Sequence, residues 1–319
     1  MSNKIEPPRL DELLKEKTTF VLGAGSSKPY GFPEWEELKP KFLSRCIDLD
    51  GTPEHESLGL QYWQHCLRDG EKKSVDTLAK EANDSARSGF QHLVGKILIE
   101  QENIDASSNN NDWIELLVKK LILLSETNSP ANILPNLNVI NLNYDRCFCH
   151  RFSNLFKSVY EAFPGTWERQ ANLPSYGTGY RYQIHPHGAL GNIAYSFVEE
   201  RSFGITASTF ASFGTLPVVP YGNIEAYERA VASKKIQLMP VDVVGSDTWH
   251  GRAEIAYIKA NSALSKSRNV IFIGVSELGY EQSHLSVPDS ARCWSASKTP
   301  VADNITCVGH YAKEFIEML

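Results

Sequence analysis

Apolar positions along the chain fall into two textures. Near the start, Thr18-Thr19-Phe20-Val21-Leu22 is an unbroken β-branched and aromatic run that ends in Gly23-Ala24-Gly25-Ser26-Ser27. A run without polar alternation suits a strand buried on both faces, as in a parallel α/β sheet. The texture returns at residues 137–142 (LNVINL), 269–273 (NVIFI) and 305–308, and briefly at 182–184. The other texture has helical spacing. Residues 74–99 and 112–124 carry it, with Trp113, Leu116, Leu117, Leu121 and Leu124 on one stripe and Asp112 where an N-cap belongs. Residues 145–156, 251–265 and 312–319 also read as helices. Asparagine-rich 107–111 and proline-containing 128–136 read as loop and linker. Residues 196–246 are rich in Gly, Pro, Ser and aromatics without a clear period.

Strand–helix alternation at both ends, with an all-helical stretch between, predicts the α/β class. The expected architecture is a Rossmann-like doubly wound parallel sheet in one domain over 1–319. Its sheet comes from about 15–35 and 136–319, and a helical module is inserted at about 36–135. Ligands of such sheets bind at the carboxyl ends of the strands, so the chemistry is expected just after them.

Composition narrows the classes. The 319 residues are 42% hydrophobic and 10% aromatic, a globular balance with material for a core. Lys and Arg number 32 against 38 Asp and Glu, a net charge of −6. With no basic excess to release counterions, no direct nucleic-acid partner is expected. The N-terminal MSNKIEPPRLDELLKEK lacks the apolar region of a signal peptide, and no stretch approaches the ~18 apolar residues of a membrane span. No membrane association and a cytoplasmic location are therefore expected. The six cysteines (Cys46, Cys66, Cys147, Cys149, Cys293, Cys307) form no CxxC pair, so no zinc ribbon and no metal are expected.

Four clusters follow the strands. In the first, Gly23 and Gly25 flank Ala24 and permit a tight turn approaching a pyrophosphate, favoured by the next helix N-terminus; a turn with no ligand is the alternative. A dehydrogenase fingerprint would need a third glycine where Lys28 stands, and its acidic ribose partner would have to be Asp48 or Asp50. In the second, Asn143 and Asp145 end a strand and suit an amide and a water, unless Asp145 simply caps a helix. The third, His185-Pro186-His187-Gly188, offers a general base near neutral pH. The fourth is Ile273-Gly274-Val275-Ser276, which could supply backbone and hydroxyl donors to a ribose or phosphate.

In order, these clusters resemble the sirtuin family, in its bacterial sirtuin-like branch. The matching pieces are Gly23-Ala24-Gly25-Ser26-Ser27, Gly31-Phe32-Pro33, Asn143-Tyr144-Asp145, His187-Gly188 and Gly274-Val275-Ser276, and Ser74-Val75-Asp76-Thr77-Leu78 is similar to a helix start of that branch. The resemblance implies that NAD, as substrate, lies across the sheet edge on Gly23, Ala24, Gly25, Ser26, Ser27 and Pro33, with its adenosine near Gly274 and Ser276. It implies that Asp145 holds the nicotinamide carboxamide, Asn143 orients the water or ribose, and His187 is the base.

Protein-deacylating sirtuins carry paired cysteines for zinc and an acidic-aromatic-arginine run after the proline. Here the cysteine pairs are missing and Glu34-Trp35-Glu36 follows Pro33. The resemblance therefore implies an NAD glycohydrolase that releases nicotinamide and ADP-ribose, in the manner of NAD-depleting antiphage effectors. Such effectors are homo-oligomers or partners of an ATPase or sensor protein. Protein deacylation and NAD or ADP-ribose binding without turnover are the alternatives.

Overall fold

The computed structural model of the chain describes residues 8–34, 37–38, 40–41, 44, 61, 84–108, 112–127, 136–162, 183–190, 219–232, 237–238, 250–275, 285–296, 306–309 and 312–319. The apolar run at residues 18–22 becomes β1 (Thr18–Leu22), buried at every position. It pairs in parallel with β2 (Leu137–Asn141) on one side and with β6 (Asn269–Ile273) on the other. Beyond β2 lies β3 (Gln183–Ile184); beyond β6 lie β7 (Arg292–Ala296) and β8 (Thr306–Gly309), all parallel. The six-stranded order is β3-β2-β1-β6-β7-β8. Each half winds outward from the centre, the arrangement of a Rossmann-like doubly wound sheet, and the order reverses between β1 and β6. A separate antiparallel ribbon pairs β4 (Gly188–Ala189) with β5 (Gln237–Leu238).

Alternate side chains of the central strands enter different cores, as the period of two requires. Phe20, Leu22, Val139, Ile271 and Ile273 share one core with α4 (Trp113–Thr127), α5 (Cys147–Ala162) and α8 (Ala312–Met318). Val21, Ile140, Val270 and Phe272 share the other with Tyr257, Ala260 and Leu264 of α7 (His250–Ser265). The short α1 (Leu10–Leu13) closes the first core, and α3 (Asp84–Ala106) packs beside α6 (Ile224–Ala232). Among the described residues, no helix is long and apolar enough to cross a membrane.

Polar groups tie the amino ends of the strands. The Thr18 hydroxyl donates to Leu13 O at 2.7 Å, and Asn269 Nδ2 reaches Leu13 O at 3.1 Å and Thr18 Oγ1 at 3.0 Å. Thr19 and Ser267 hydroxyls meet at 2.6 Å. These donors are matched at this end, although Asn269 Oδ1 is buried without a hydrogen-bond partner among the described residues.

Several elements differ from the sequence expectation. The helix expected at residues 74–99 is described from Asp84 and runs on to Ala106. Strand β7, Arg-Cys-Trp-Ser-Ala, lies outside the sequence expectation, because its first residue is exposed, its second only half-buried, and a serine interrupts its buried part. Helix α6 and strand β5 lie within the aperiodic 196–246 stretch.

Candidate active site

After Leu22 the chain turns through Gly23 into α2 (Ala24–Ser27) and a 3-10 turn, Lys28–Tyr30, ending at Gly31 with φ 86°. The helix anticipated here has only four residues, so its macrodipole is slight. Lys28, where a dehydrogenase fingerprint places glycine, pairs with Glu34 at 2.8 Å and Glu37 at 3.0 Å. Phe32 is buried and Pro33 half-buried behind it.

The turns after β1 and β6 are in backbone contact. The Gly23 N–H donates to Ile273 O at 2.9 Å and the Gly25 N–H to Gly274 O at 3.0 Å. A Cβ on Gly23 would stand 2.6 Å from Gly274 O, and one on Gly25 would stand 2.9 Å from Gly274 Cα. The close approach of two turns therefore requires both glycines, independently of any ligand. Ala24, between them, is exposed.

Asn143 clips this turn to the end of β2. Its Nδ2 lies 3.0 Å from Gly23 O, 3.1 Å from Ser27 Oγ and 3.2 Å from Ser26 Oγ, and its backbone N–H donates to Asn141 Oδ1 at 3.0 Å. The Ser27 hydroxyl donates in turn to Asp145 Oδ1 at 3.0 Å. That oxygen also accepts the Cys147 N–H at 3.0 Å, at the first residue of α5. Asp145 thus serves the helix start and the turn together. Nearby, Asn141 Nδ2 is a buried donor with no hydrogen-bond partner among the described residues.

Burial pushes the Asp145 carboxyl up to about 7, against the pull of the Cys147 N–H and Ser27 hydroxyl. The folded protein holds this proton more tightly than the unfolded chain, whose carboxyl keeps its ordinary 3.8. Its stabilising contribution is therefore full below that ordinary value and is lost as the pH rises through about 7. The carbonyl oxygen of an asparagine can accept the same two hydrogen bonds without ionising. Asp145→Asn is expected to gain stability relative to the parent as the pH rises from about 4 to about 7 and to keep a constant margin above that, read from urea midpoints across the range. A parallel pH dependence in both proteins would contradict the buried, perturbed carboxyl.

His187 follows β3 and is buried. Its Nε2 lies 2.9 Å from the Tyr257 hydroxyl, and its ring sits 5.7 Å from that of Tyr144, tilted by 43°. Because Tyr144 stands between Asn143 and Asp145, this contact brings the histidine cluster to the asparagine–aspartate cluster. His185 lies against the same segment: its Nε2 is 3.2 Å from Cys149 Sγ and it hydrogen-bonds the Asn143 backbone, while burial, outweighing that bond, lowers it to about 4, so it is neutral near pH 7. Among the described residues, no group of three or more His, Cys, Asp or Glu is placed to hold a metal ion.

Gly274 has φ 64° and donates its N–H to Ala296 O at 2.9 Å. Gly23, Ala24, Gly25, Ser26, Ser27, Asn143, Asp145, His187 and Gly274 thus lie on or beside the turns at the carboxyl edge of the sheet. Ser276, Asp48, Asp50 and the run 74–78 lie outside the described residues.

The helices between β1 and β2 brace this edge, a part the motifs do not mark. The Trp113 indole N–H donates to Ser26 O at 2.7 Å. Glu115 reaches back to the Asp112 N–H at 2.9 Å, a capping-box contact, and accepts the Tyr30 hydroxyl at 3.0 Å. Arg146, directly after Asp145, is fully buried. Its guanidinium meets Glu102 of α3 at 3.0 and 2.5 Å and Val219 O at 2.6 Å. Arg151 joins Asp105 at 2.6 Å and Glu115 at 2.8 Å. Arginines after a site motif are the only sequence signal for this brace, and their acidic partners lie too far away in sequence to be paired without the fold.

Compared with known proteins, the chain matches no family model and no curated sequence.

Proposed function

We propose that the protein is an NAD glycohydrolase, cleaving the nicotinamide–ribose bond with water to give nicotinamide, ADP-ribose and a proton. The observation that carries this reading is the Asn143–Ser27–Asp145 chain, which joins the turn after β1 to the end of β2 beside the switch point, with His187 against Tyr144. Doubly wound sheets bind dinucleotides at this position. The residue types fit NAD. A carboxyl that is neither fully ionised nor fully protonated near pH 7 can accept from or donate to a carboxamide, and Asn141 Nδ2 is a buried donor close by.

In this reading Asp145 and Ser27 hold the nicotinamide carboxamide. Asn143 fixes the turn and presents its side chain to the ribose or the attacking water. His187 takes the proton that leaves as water or a ribose hydroxyl becomes nucleophilic. Dipoles directed at the ribose stabilise the positive charge that develops as the bond breaks.

A second reading, NAD or ADP-ribose binding without turnover, draws on the engagement of Asn143 Nδ2 with Gly23, Ser26 and Ser27. An amide so occupied can be purely structural. Kinetics of nicotinamide release separate the two. His187→Ala is expected to lower kcat by about 10²–10⁴-fold, the range for a lost general base, with a moderate stability loss of about 1–3 kcal/mol because the buried Tyr257 hydroxyl loses its partner. Asn143→Ala is expected to lose turnover and some stability together, because it releases the turn as well. An unaltered kcat in His187→Ala would refute the role given to that residue.

A further inference from the structure

The residue that meets the His187 imidazole comes from the opposite half of the sheet. His187 follows β3, the edge strand of the first half. Tyr257 belongs to α7, the helix that leads into β6 and so opens the second half. The Tyr257 ring is buried with Val21, Ile140, Leu142, Ala260, Leu264, Val270 and Phe272 in the α7 core. Its hydroxyl leaves that core and stands 2.9 Å from His187 Nε2. The two rings are 6.3 Å apart and tilted by 45°, while Tyr144 approaches the same imidazole from the Asn143–Asp145 segment.

The His187 imidazole sits on a short turn after a two-residue strand. A tyrosine whose ring is locked by core packing supplies a hydroxyl at a set place. A hydrogen bond to one ring nitrogen determines which nitrogen carries the proton of the neutral ring, and with it the tautomer available to accept a proton. Such partners orient an acting residue without touching the substrate.

We propose that Tyr257 is the positioning residue for His187: its hydroxyl fixes the imidazole's tautomer and rotation for proton transfer. This assignment rests on the reading of His187 as the base. It explains a polar placement that core packing alone does not require, since phenylalanine would fill the same apolar space. It also gives the crossover into β6 a part in the chemistry, with α7 carrying both a core face and the hydroxyl that reaches the first half.

The test is Tyr257→Phe, which keeps the ring and deletes the hydroxyl. Three measurements are made on the full chain: nicotinamide release from NAD, the urea midpoint, and long-range ¹H–¹⁵N spectra of histidine-labelled protein. The His187 signal is assigned by its loss in His187→Ala. The expected result is one His187 tautomer in the parent and a shifted tautomer balance in Tyr257→Phe. kcat should fall about tenfold to a hundredfold, the range for a lost orienting partner, with KM for NAD nearly constant.

A parent spectrum with His187 exchanging between tautomers overturns the proposal without any variant. So does a Tyr257→Phe spectrum identical to the parent's. Unchanged kcat in Tyr257→Phe, with a parent that does release nicotinamide, overturns this assignment alone and leaves the hydrolase reading standing. A parent that releases none removes the hydrolase reading and this assignment together.

Discussion

Arg146→Ala is expected to destabilise the fold by about 3–5 kcal/mol, the cost of leaving a buried charge without its partner. Both Arg146 and Glu102 have no exposed side-chain surface, and two hydrogen bonds join them at 3.0 and 2.5 Å. Removing the guanidinium leaves the Glu102 carboxylate with the Gly222 N–H at 3.3 Å, and takes from Val219 O its 2.6 Å contact. The double variant Glu102→Leu with Arg146→Met should recover much of the loss, because two charges are then removed together. Urea titrations of the parent and the two variants check this. A double variant less stable than Arg146→Ala would contradict the account of a costly unpaired charge. Arg146 follows Asp145 directly, so the same variant is expected to disturb the site.

Gly274→Ala is expected to be the most damaging small substitution at the site. The backbone there has φ 64°, a region that costs a residue with a Cβ about 1–2 kcal/mol. The added Cβ would also fall on the Ser26 amide nitrogen and the Gly25 carbonyl carbon, backbone atoms that cannot rotate away. Relief requires the β1 turn to move, and the turn carries Ser26 and Ser27, the partners of Asn143. Loss of stability and of nicotinamide release together is the expected outcome. Gly31→Ala is the control. Its φ is 86°, but the obstruction is Gln101 Nε2 at 2.6 Å, the far end of a flexible side chain. Its cost should stay near the conformational penalty alone, about 1–2 kcal/mol. Equal midpoints for the two variants would show that the turns are not as tightly joined as described.

Where one physical cause dominates, the fold was legible in the sequence. β1 and β6 are buried on both faces, and their unbroken apolar runs say so. The Asp112 boundary of α4 was legible because capping is a local matter between Asp112 and Glu115. β7 was not, because near the sheet's margin a strand keeps solvent-facing residues and loses the apolar run. The ribbon β4–β5 has two residues a strand, too few for any period.

The site divides the same way. Residues ending central strands could be selected from sequence, since a doubly wound sheet delivers its strand ends to one edge. What each does could not. Gly23 and Gly25 looked like a pyrophosphate turn, and packing on Gly274 already accounts for them. Tyr257 has the spacing of a core residue with Ala260 and Leu264, and only the place reached by its hydroxyl sets it apart.

The most direct measurement is the fate of NAD incubated with the purified protein, followed by chromatography of nicotinamide, ADP-ribose and remaining NAD. Hydrolysis predicts nicotinamide and ADP-ribose in equal amounts, in proportion to NAD lost, with both formed at least about a hundredfold more slowly by His187→Ala. NAD that binds saturably and is recovered intact would contradict hydrolysis and leave a nucleotide-binding protein.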